Sequence, residues 1–243
     1  MRLVPKFPIA VFNIKKVPWK WLLVSLLILA LGLGGFYLYE EVTQPDPQEA
    51  VKQGLVKTLG AKSYRYEAIA KRTLEGKESV LSQVVGEKNH QSVHIKGELP
   101  VIKAEVEIYQ IGDTMYRRDT TSKGWLKVPA KGRVAFEQLI AEINPLGSFN
   151  FSQIIEVKYA GKEKIGGKTC RVYEVMARGE NKFLELYWQD FNYKLWIDRN
   201  EGIIRKAEVS AEHRSNSQHL LNISILLSDF NENIEIKEPK VGQ

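Results

Sequence analysis

An uncharged run of nineteen residues, Trp21–Tyr39, constrains this chain more than any other feature of its sequence. As an α-helix with a rise of about 1.5 Å per residue, it would be roughly 28 Å long, close to the hydrocarbon thickness of a bilayer. A short segment precedes the run, and about two hundred residues of ordinary composition follow it. The sequence therefore predicts a transmembrane helix over 21–39, a tail over 1–20 and a separate domain after the helix.

The charges beside this run predict its orientation. The tail contains no acidic residue, whereas Glu40 and Glu41 follow the run directly. Because positive charge stays in the cytoplasm, we expect a single-pass protein of the cell membrane with a cytoplasmic N-terminus and residues 40–243 outside. A cleaved signal peptide is the alternative, but the run exceeds a usual h-region and no small-x-small site follows it. The basic residues of the tail are Arg2, Lys6, Lys15, Lys16 and Lys20.

The charge distribution argues against a nucleic-acid partner. The formal net charge is +6, and the tail accounts for most of it. Positive and negative residues nearly cancel in the rest of the chain, so the outer domain has no basic field that would attract phosphates. Cys170 is the single cysteine and lies in an apolar, strand-like run, which predicts a core residue and excludes an intrachain disulfide.

No motif for catalysis, metal or cofactor binding is present. The sequence lacks G-x-S-x-G, the P-loop and the dinucleotide fingerprint. His90 and His94 are four residues apart, but strand patterning surrounds them and no carboxylate completes a ligand set. We interpret both as exposed histidines and expect neither an enzyme, nor a metal site, nor a cofactor.

Residues 40–45 read as a linker, and a helix follows them. Asp46 suits its N-cap, Pro47 its first position and Glu49 a capping box, while Gly60 suits its end. Gly54 lowers the helical propensity inside it. The predicted buried stripe recurs every four residues: Val51, Leu55 and Leu59.

From Ser63 the apolar period changes to two, which indicates an antiparallel meander with one apolar and one polar face. Short strands near Tyr116 and Trp125 continue it. Later strands include a hairpin that turns near Gly202 and a possible edge strand at Ile234 and Ile236. The predicted longer strands are 64–71, 79–86, 92–97, 101–110, 156–165, 168–176, 193–198, 203–211 and 221–228.

Helical spacing appears in the middle of the outer domain. Phe136–Ile143 has apolar residues at i, i+3, i+4 and i+7, and a second short helix or turn is expected over 145–155. Residues 181–190 fit either a helix or a strand, and we favour the helix. The fold class predicted for the chain is α+β: an N-terminal transmembrane helix, then a curled antiparallel sheet, an unclosed β-barrel, covered by a few short helices.

The apolar face of the sheet is the candidate site. If the helices cover it completely, it is simply a core, whereas a loose cover leaves a concave apolar cleft that suits acyl chains. The candidate ligand-binding residues are Tyr66, Ala68, Ile95, Val106, Ile108, Phe136, Ile140, Ile223 and Ile225.

The order of several motifs over residues 46–240 resembles the LolA-like superfamily of bacterial envelope proteins. These motifs are S-Y-R-Y at 63–66 after the helix, I-G-D-T-M-Y-R-R with G-W-L-K-V over 111–128, and N-P-L at 144–146. G-G-K-T-C-R-V-Y-E-V at 166–175 and L-W-I-D-x-x-x-G-I-I-R-K at 195–206 complete the series.

The resemblance implies a barrel whose concave face holds lipid or the acyl chains of a lipoprotein, as in the LolA/LolB carriers and the LppX/LprG lipoproteins. This chain departs from the superfamily because a helix without a lipobox cysteine would tether it. That departure favours ligand handling close to the membrane over long-range transport. A second hypothesis is an envelope-stress signalling or scaffold ectodomain, similar to RseB-type regulators, that acts through a membrane-protein partner.

Overall fold

The computed structural model describes residues 23–32, 45–119, 121–129, 149, 151–179 and 182–240. The chain divides into two units between Pro45 and Asp46, and we describe each by itself. In the first, residues 23–32 of the uncharged run form helix α1, whose large apolar side chains are exposed. Among the described residues, no helix is both long enough and apolar enough to cross a membrane.

In the second unit, the described residues form one antiparallel sheet of eleven strands in the order β6-β5-β4-β3-β2-β1-β11-β10-β9-β8-β7. Strands β6 and β7 are the two edges, so the sheet is curled but not closed. The strands are β1 (Tyr64–Leu74), β2 (Lys77–Lys88), β3 (Ser92–Leu99), β4 (Ala104–Ile111), β5 (Thr114–Arg118), β6 (Trp125–Pro129), β7 (Phe151–Ile165), β8 (Lys168–Gly179), β9 (Trp188–Asp198), β10 (Ile204–His213) and β11 (Asn216–Ser228).

Helix α2, Pro47–Leu59, packs across the sheet and starts where the sequence predicts. The Asp46 side chain accepts a hydrogen bond from the Gln48 backbone N–H at 3.3 Å, as an N-cap does. The predicted stripe is confirmed in part: Val51 is buried and Leu55 is half-buried against the core, but Leu59 is exposed, and Gly54 and Thr58 are buried as well. The glycine that lowers helical propensity thus lies at the interface with the sheet, where it permits close packing.

The first four strands confirm the predicted meander, except that β4 begins later than expected. Pro100–Ile102 forms a single 3₁₀ turn, and Lys103 then has a left-handed backbone with φ of 52°. Pro100 cannot donate to a ladder, so the strand resumes only at Ala104. The hairpin at Gly202 also forms as predicted, and this glycine has φ of +69°.

Three predictions in the second half are wrong in detail. Strand β7 already begins at Phe151, within the range predicted as a helix or turn. The range 181–190 is divided between a short helix α3, Lys182–Tyr187, and the start of β9. Residues 234–236 form no strand: Ile234 is buried, and its carbonyl accepts a hydrogen bond from the Asn89 side chain at 3.1 Å. The predicted helix Phe136–Ile143 lies outside the described residues.

Candidate functional site

A continuous row of apolar residues crosses nine strands on one face of the sheet. Directly paired residues of antiparallel strands share a face, so the pairings identify the row unambiguously. We call it the central row, and apart from three half-buried members all its residues are buried. From β7 to β4 it contains Tyr159, Tyr173, Leu195, Ala207, Ile225, Ala68, Val84, Gly97 and Val106.

Two shorter rows flank the central row on the same face. The first, the Tyr66 row, runs from β11 to β4 through Leu227, Tyr66, Gly86, Ile95 and Ile108. The second, the Val209 row, runs from β7 to β1 through Val157, Val175, Tyr193, Val209, Ile223 and Ala70. Together the three rows form what we call the apolar face.

The structure brings seven of the nine candidate residues together on this face. Ala68, Val106 and Ile225 belong to the central row, whereas Ile223 belongs to the Val209 row. The remaining three, Tyr66, Ile95 and Ile108, form most of the Tyr66 row. Phe136 and Ile140 lie outside the described residues, so their place in the site stays a prediction.

Small residues occupy the middle of the apolar face. Ala68, Ala207 and Gly97 lie in the central row, with Gly86 beside them in the Tyr66 row. A Cβ atom at Gly86 would overlap Cζ and Oη of Tyr66, and one at Gly97 would overlap Val84. Because Gly86 and Gly97 have no side chains, Tyr66 and Val84 lie close to the sheet backbone, and the layer of side chains is shallow at these positions.

Larger aromatic side chains border this shallow centre at β7 and β9. The rings of Phe151 and Tyr193 meet edge to face with centroids 4.6 Å apart, and Phe149 contacts both. Phe191 stacks on the other side of Tyr193 at 6.4 Å. Burial raises the pKa of Tyr193 to about 12, so its hydroxyl stays neutral at physiological pH.

An open groove leads from solvent to this aromatic border. It has a volume of about 730 Å³ and lies between the outer side of α2 and the beginning of β7. Val56 and Leu59 line it from the helix, and Val56 is 71% exposed. Phe149 and Phe151 line it from the other side, and both also contact Tyr193 of the apolar face.

The opposite face of the sheet is charged. One cross-strand row alternates in sign through Lys158, Glu174, Lys194 and Glu208. Larger grooves of about 800 and 1060 Å³ lie on this face, but charged residues line much of both. The hydrocarbon part of an acyl chain has no polar atoms to offer such linings, so we place the candidate site on the apolar face.

His94 corrects one sequence interpretation. His90 is exposed as expected, but His94 is half-buried on the charged face. Its Nδ1 lies 3.3 Å from a Glu87 oxygen and its Nε2 lies 3.2 Å from a Glu107 oxygen. The imidazole also stacks on Tyr109 with a centroid distance of 3.9 Å. His94 on β3 therefore contacts Glu87 on β2 and both Glu107 and Tyr109 on β4, and so links the three strands.

Cys170 is a buried core residue, as the sequence predicts. It packs with Val172 and Trp196 in a small cluster that is separate from the main core. Burial raises the pKa of its thiol to about 11, which suppresses the reactive thiolate. Within the described residues, no group of three or more His, Cys, Asp or Glu side chains is arranged to hold a metal ion.

Several members of the apolar face were absent from the candidate set. Tyr173, Tyr193, Leu195 and Ala207 come from the second half of the sheet, and all four are buried in the main core. The hairpin around Gly202 contained part of the signal, because its turn leads to the pairing of Ile197 with Ile204. The register then shifts between Ile204 and Lys206, so alternation from the turn alone would not have placed Leu195 opposite Ala207.

No protein-family profile and no curated protein matches this sequence. Solved structures do match. Lipoprotein LppX from Mycobacterium tuberculosis aligns with 79% of this chain and 100% of its own length, at 14% identity and a TM-score of 0.51. LprF from Mycobacterium bovis aligns with 82% of this chain and 99% of its own length, also at 14% identity and a TM-score of 0.51.

A LolA superfamily protein from Nitrosomonas europaea aligns with 79% of this chain and 96% of its own length, at 12% identity and a low TM-score of 0.35. The matches to LppX and LprF extend over nearly all of each structure, and the eleven-stranded unclosed sheet accounts for them. The chain therefore has the LolA-like fold that its sequence motifs predict.

Proposed function

We propose that this chain is a membrane-anchored binding protein for lipid or lipoprotein acyl chains at the outer surface of a bacterial cell membrane. The observation that carries the proposal is the central row. It extends across nine strands without a charged residue, which suits a long hydrocarbon chain better than a compact polar ligand.

The small residues of the face support the same class of ligand. Ala207, Ala68 and Gly97 alternate with Ile225 and Val84 along the central row, so an occupant would meet short side chains between larger ones. Bulky aromatic residues border the centre near β7 and β9, next to the groove along α2. An acyl chain entering through that groove would pass Val56 and Leu59 on one side and Phe149 and Phe151 on the other on its way to the apolar face.

The fold supports the proposal at the level of the superfamily. LppX is itself a lipoprotein, and the resemblance that the motifs show extends to the lipid-binding and carrier members of the LolA-like group. This chain has its own feature, the predicted span over 21–39. Six linker residues of at most about 3.6 Å each would keep the domain within roughly 22 Å of the bilayer. The protein would therefore take up or release its ligand beside the membrane in which it is anchored.

Comparing two variants of neighbouring residues tests the proposal. Ala68 lies at the centre of the apolar face, whereas the adjacent Glu67 is exposed on the charged face. Ala68→Phe places a large side chain where an acyl chain would lie on the apolar face, and Glu67→Phe adds the same side chain on the other side. Wild type and both variants are purified as full chains in one detergent, and their bound lipids are extracted and quantified by mass spectrometry.

Lipid that surrounds the span is common to all three samples, so only the difference between them reports on the apolar face. We expect wild type and Glu67→Phe to retain the same lipid in excess over Ala68→Phe. Equal lipid in all three proteins, with Ala68→Phe folded by circular dichroism, would contradict acyl-chain binding. A membrane protein that co-purifies equally with all three would then favour the signalling or scaffold function.

A further inference from the structure

The hydroxyl of Tyr66 is a polar atom in an otherwise apolar row. Tyr66 is paired with Gly86 on β2, and Gly86 is paired with Ile95 on β3. Because Gly86 has no side chain, the Tyr66 ring extends over it with Cζ and Oη directly above the glycine. The hydroxyl therefore points along the Tyr66 row from β1 toward β3 and toward Ile95.

This hydroxyl is buried without a hydrogen-bond partner among the described residues. Only 4% of Tyr66 is exposed, so solvent does not replace the missing partner. Leaving a buried polar group unpaired is costly, and folded proteins contain few such groups. Phenylalanine would fill the same volume without this cost, so the hydroxyl requires an explanation.

The burial also fixes what the hydroxyl can do. Desolvation raises the pKa of Tyr66 above its usual value, and the neighbouring Tyr64 raises it further. The group therefore remains a neutral O–H at every physiological pH. It can donate one hydrogen bond, and a ligand in the apolar face can accept it only through a polar atom attached to its hydrocarbon.

We infer that Tyr66 Oη donates a hydrogen bond to the ester carbonyl of an acyl chain bound on the apolar face. This inference rests on the proposed function and adds a chemical requirement to it. The hydrocarbon would lie along the central row, and its ester carbonyl would lie beside Tyr66 Oη, next to the ring that covers Gly86. The site would then distinguish an acyl ester from an alkyl ether of the same length, which fills the same volume but has no carbonyl.

The test uses the full chain in nanodiscs made only of ether-linked phospholipid, so the bilayer contains no ester. Two ester probes with ¹³C-labelled carbonyls are added separately: a diacyl phospholipid and a diacylglyceryl lipopeptide. Their ether analogues serve as competitors. Binding is measured by competition against a fluorescent acyl ester, and isotope-edited infrared spectroscopy records the labelled carbonyl stretch.

Wild type should prefer an ester over the matching ether by about two- to tenfold, the range expected for one neutral hydrogen bond. The labelled carbonyl band should shift to lower frequency on binding. Tyr66→Phe should remove both the preference and the shift while its melting temperature stays equal or rises. Whichever ester probe binds more tightly identifies the source of the acyl group, a membrane lipid or a lipoprotein.

Tyr64→Phe is the matched control. Tyr64 lies on the same strand and the same face, two residues from Tyr66, and contacts Phe230 with a centroid distance of 5.8 Å. This variant should retain the ester preference and the carbonyl shift. Wild type that binds ester and ether equally, or Tyr66→Phe that retains the preference, would overturn the inference and leave the proposed function intact. Failure of wild type to bind either probe would instead contradict the proposed function.

Discussion

Gly54 of helix α2 lies so close to Ile197 of strand β9 that a Cβ at position 54 would be 2.7 Å from Ile197 Cδ1. This contact sets how deeply the helix packs on the sheet. A larger residue must move either the helix or the isoleucine, and both are part of the interface that covers β9. The position therefore determines the geometry of one border of the apolar face.

We predict that Gly54→Val destabilises the protein by about 1–3 kcal/mol, because overpacking a filled interface outweighs the gain in helical propensity. Chemical denaturation measures the change in the free energy of unfolding. Val56→Ala is the control, since Val56 is largely exposed on the same helix and should change stability by no more than about 0.5 kcal/mol. A stabilised Gly54→Val variant would show that the helix is not closely packed there.

The same contact shows why the sequence could not predict the stripe of α2. Apolar periodicity selected Leu55 and Leu59, but close packing against Ile197 requires the smallest residue at the interface. Gly54 and Thr58 are not hydrophobic residues, so the apolar pattern could not identify them as buried residues of the helix. By contrast, the caps at Asp46 and Gly60 depend only on local backbone chemistry and were predicted correctly.

The start of β7 was missed for a different physical reason. Register shifts between Phe151 and Gln153, and again between Ile154 and Glu156, interrupt the alternation. Phe151, Ile154 and Val157 therefore contact the core at intervals of three residues, which mimics a helix. The meander of β1 to β4 has few such interruptions, so its alternation predicted both the strands and most of the candidate site.

Thr58 connects α2 to the start of β10. Its Oγ1 donates to the Gly54 carbonyl at 2.6 Å and accepts from the Ile204 backbone N–H at 2.8 Å. Thr58→Val keeps the shape but leaves that buried N–H unpaired, which should cost about 1–3 kcal/mol of unfolding free energy. Thr58→Ser retains the hydroxyl and should lose much less. A larger loss in Thr58→Ser than in Thr58→Val would show that packing of the methyl group, and not the hydrogen bond, is what matters.

Asp198 stabilises the hairpin at Gly202 through its charged form. Burial opposes ionisation of this carboxyl, but backbone N–H groups of Glu201 and Asn200 and the Arg205 guanidinium outweigh it and lower its pKa. A pKa that is lower in the folded state gives stability that is complete above the unfolded value, about 3.9, and is lost as the pH falls through the folded value.

We therefore predict that Asp198→Asn destabilises the protein by about 1–3 kcal/mol near neutral pH, and that this difference shrinks below about pH 4. Urea denaturation at several pH values measures it. Asp229→Asn is the control, because Asp229 is partly exposed and its solvent-accessible ion pair with Arg65 is worth at most about 1 kcal/mol. A difference at position 198 that does not depend on pH would contradict a role for the charge.

Cys170 should resist modification in the folded protein. With a pKa of about 11, only about one thiol in a thousand is ionised at pH 8, and the side chain has no exposed surface. We expect a thiol-specific maleimide to label it only as fast as the protein unfolds, so that added urea accelerates labelling. Fast labelling without denaturant would show that the Cys170, Val172 and Trp196 cluster opens in the native state.

Photo-crosslinking tests the central claim most directly. The full chain is reconstituted with a lipid that contains a diazirine at the end of its acyl chain, irradiated and digested, and the labelled residues are mapped by mass spectrometry. We predict crosslinks to the apolar face, at Ile225 and Ala68, but not to Leu226 or Glu67 on the charged face. Crosslinks confined to residues 21–39 would show that lipid surrounds only the predicted span, and would contradict an acyl-chain site on the sheet.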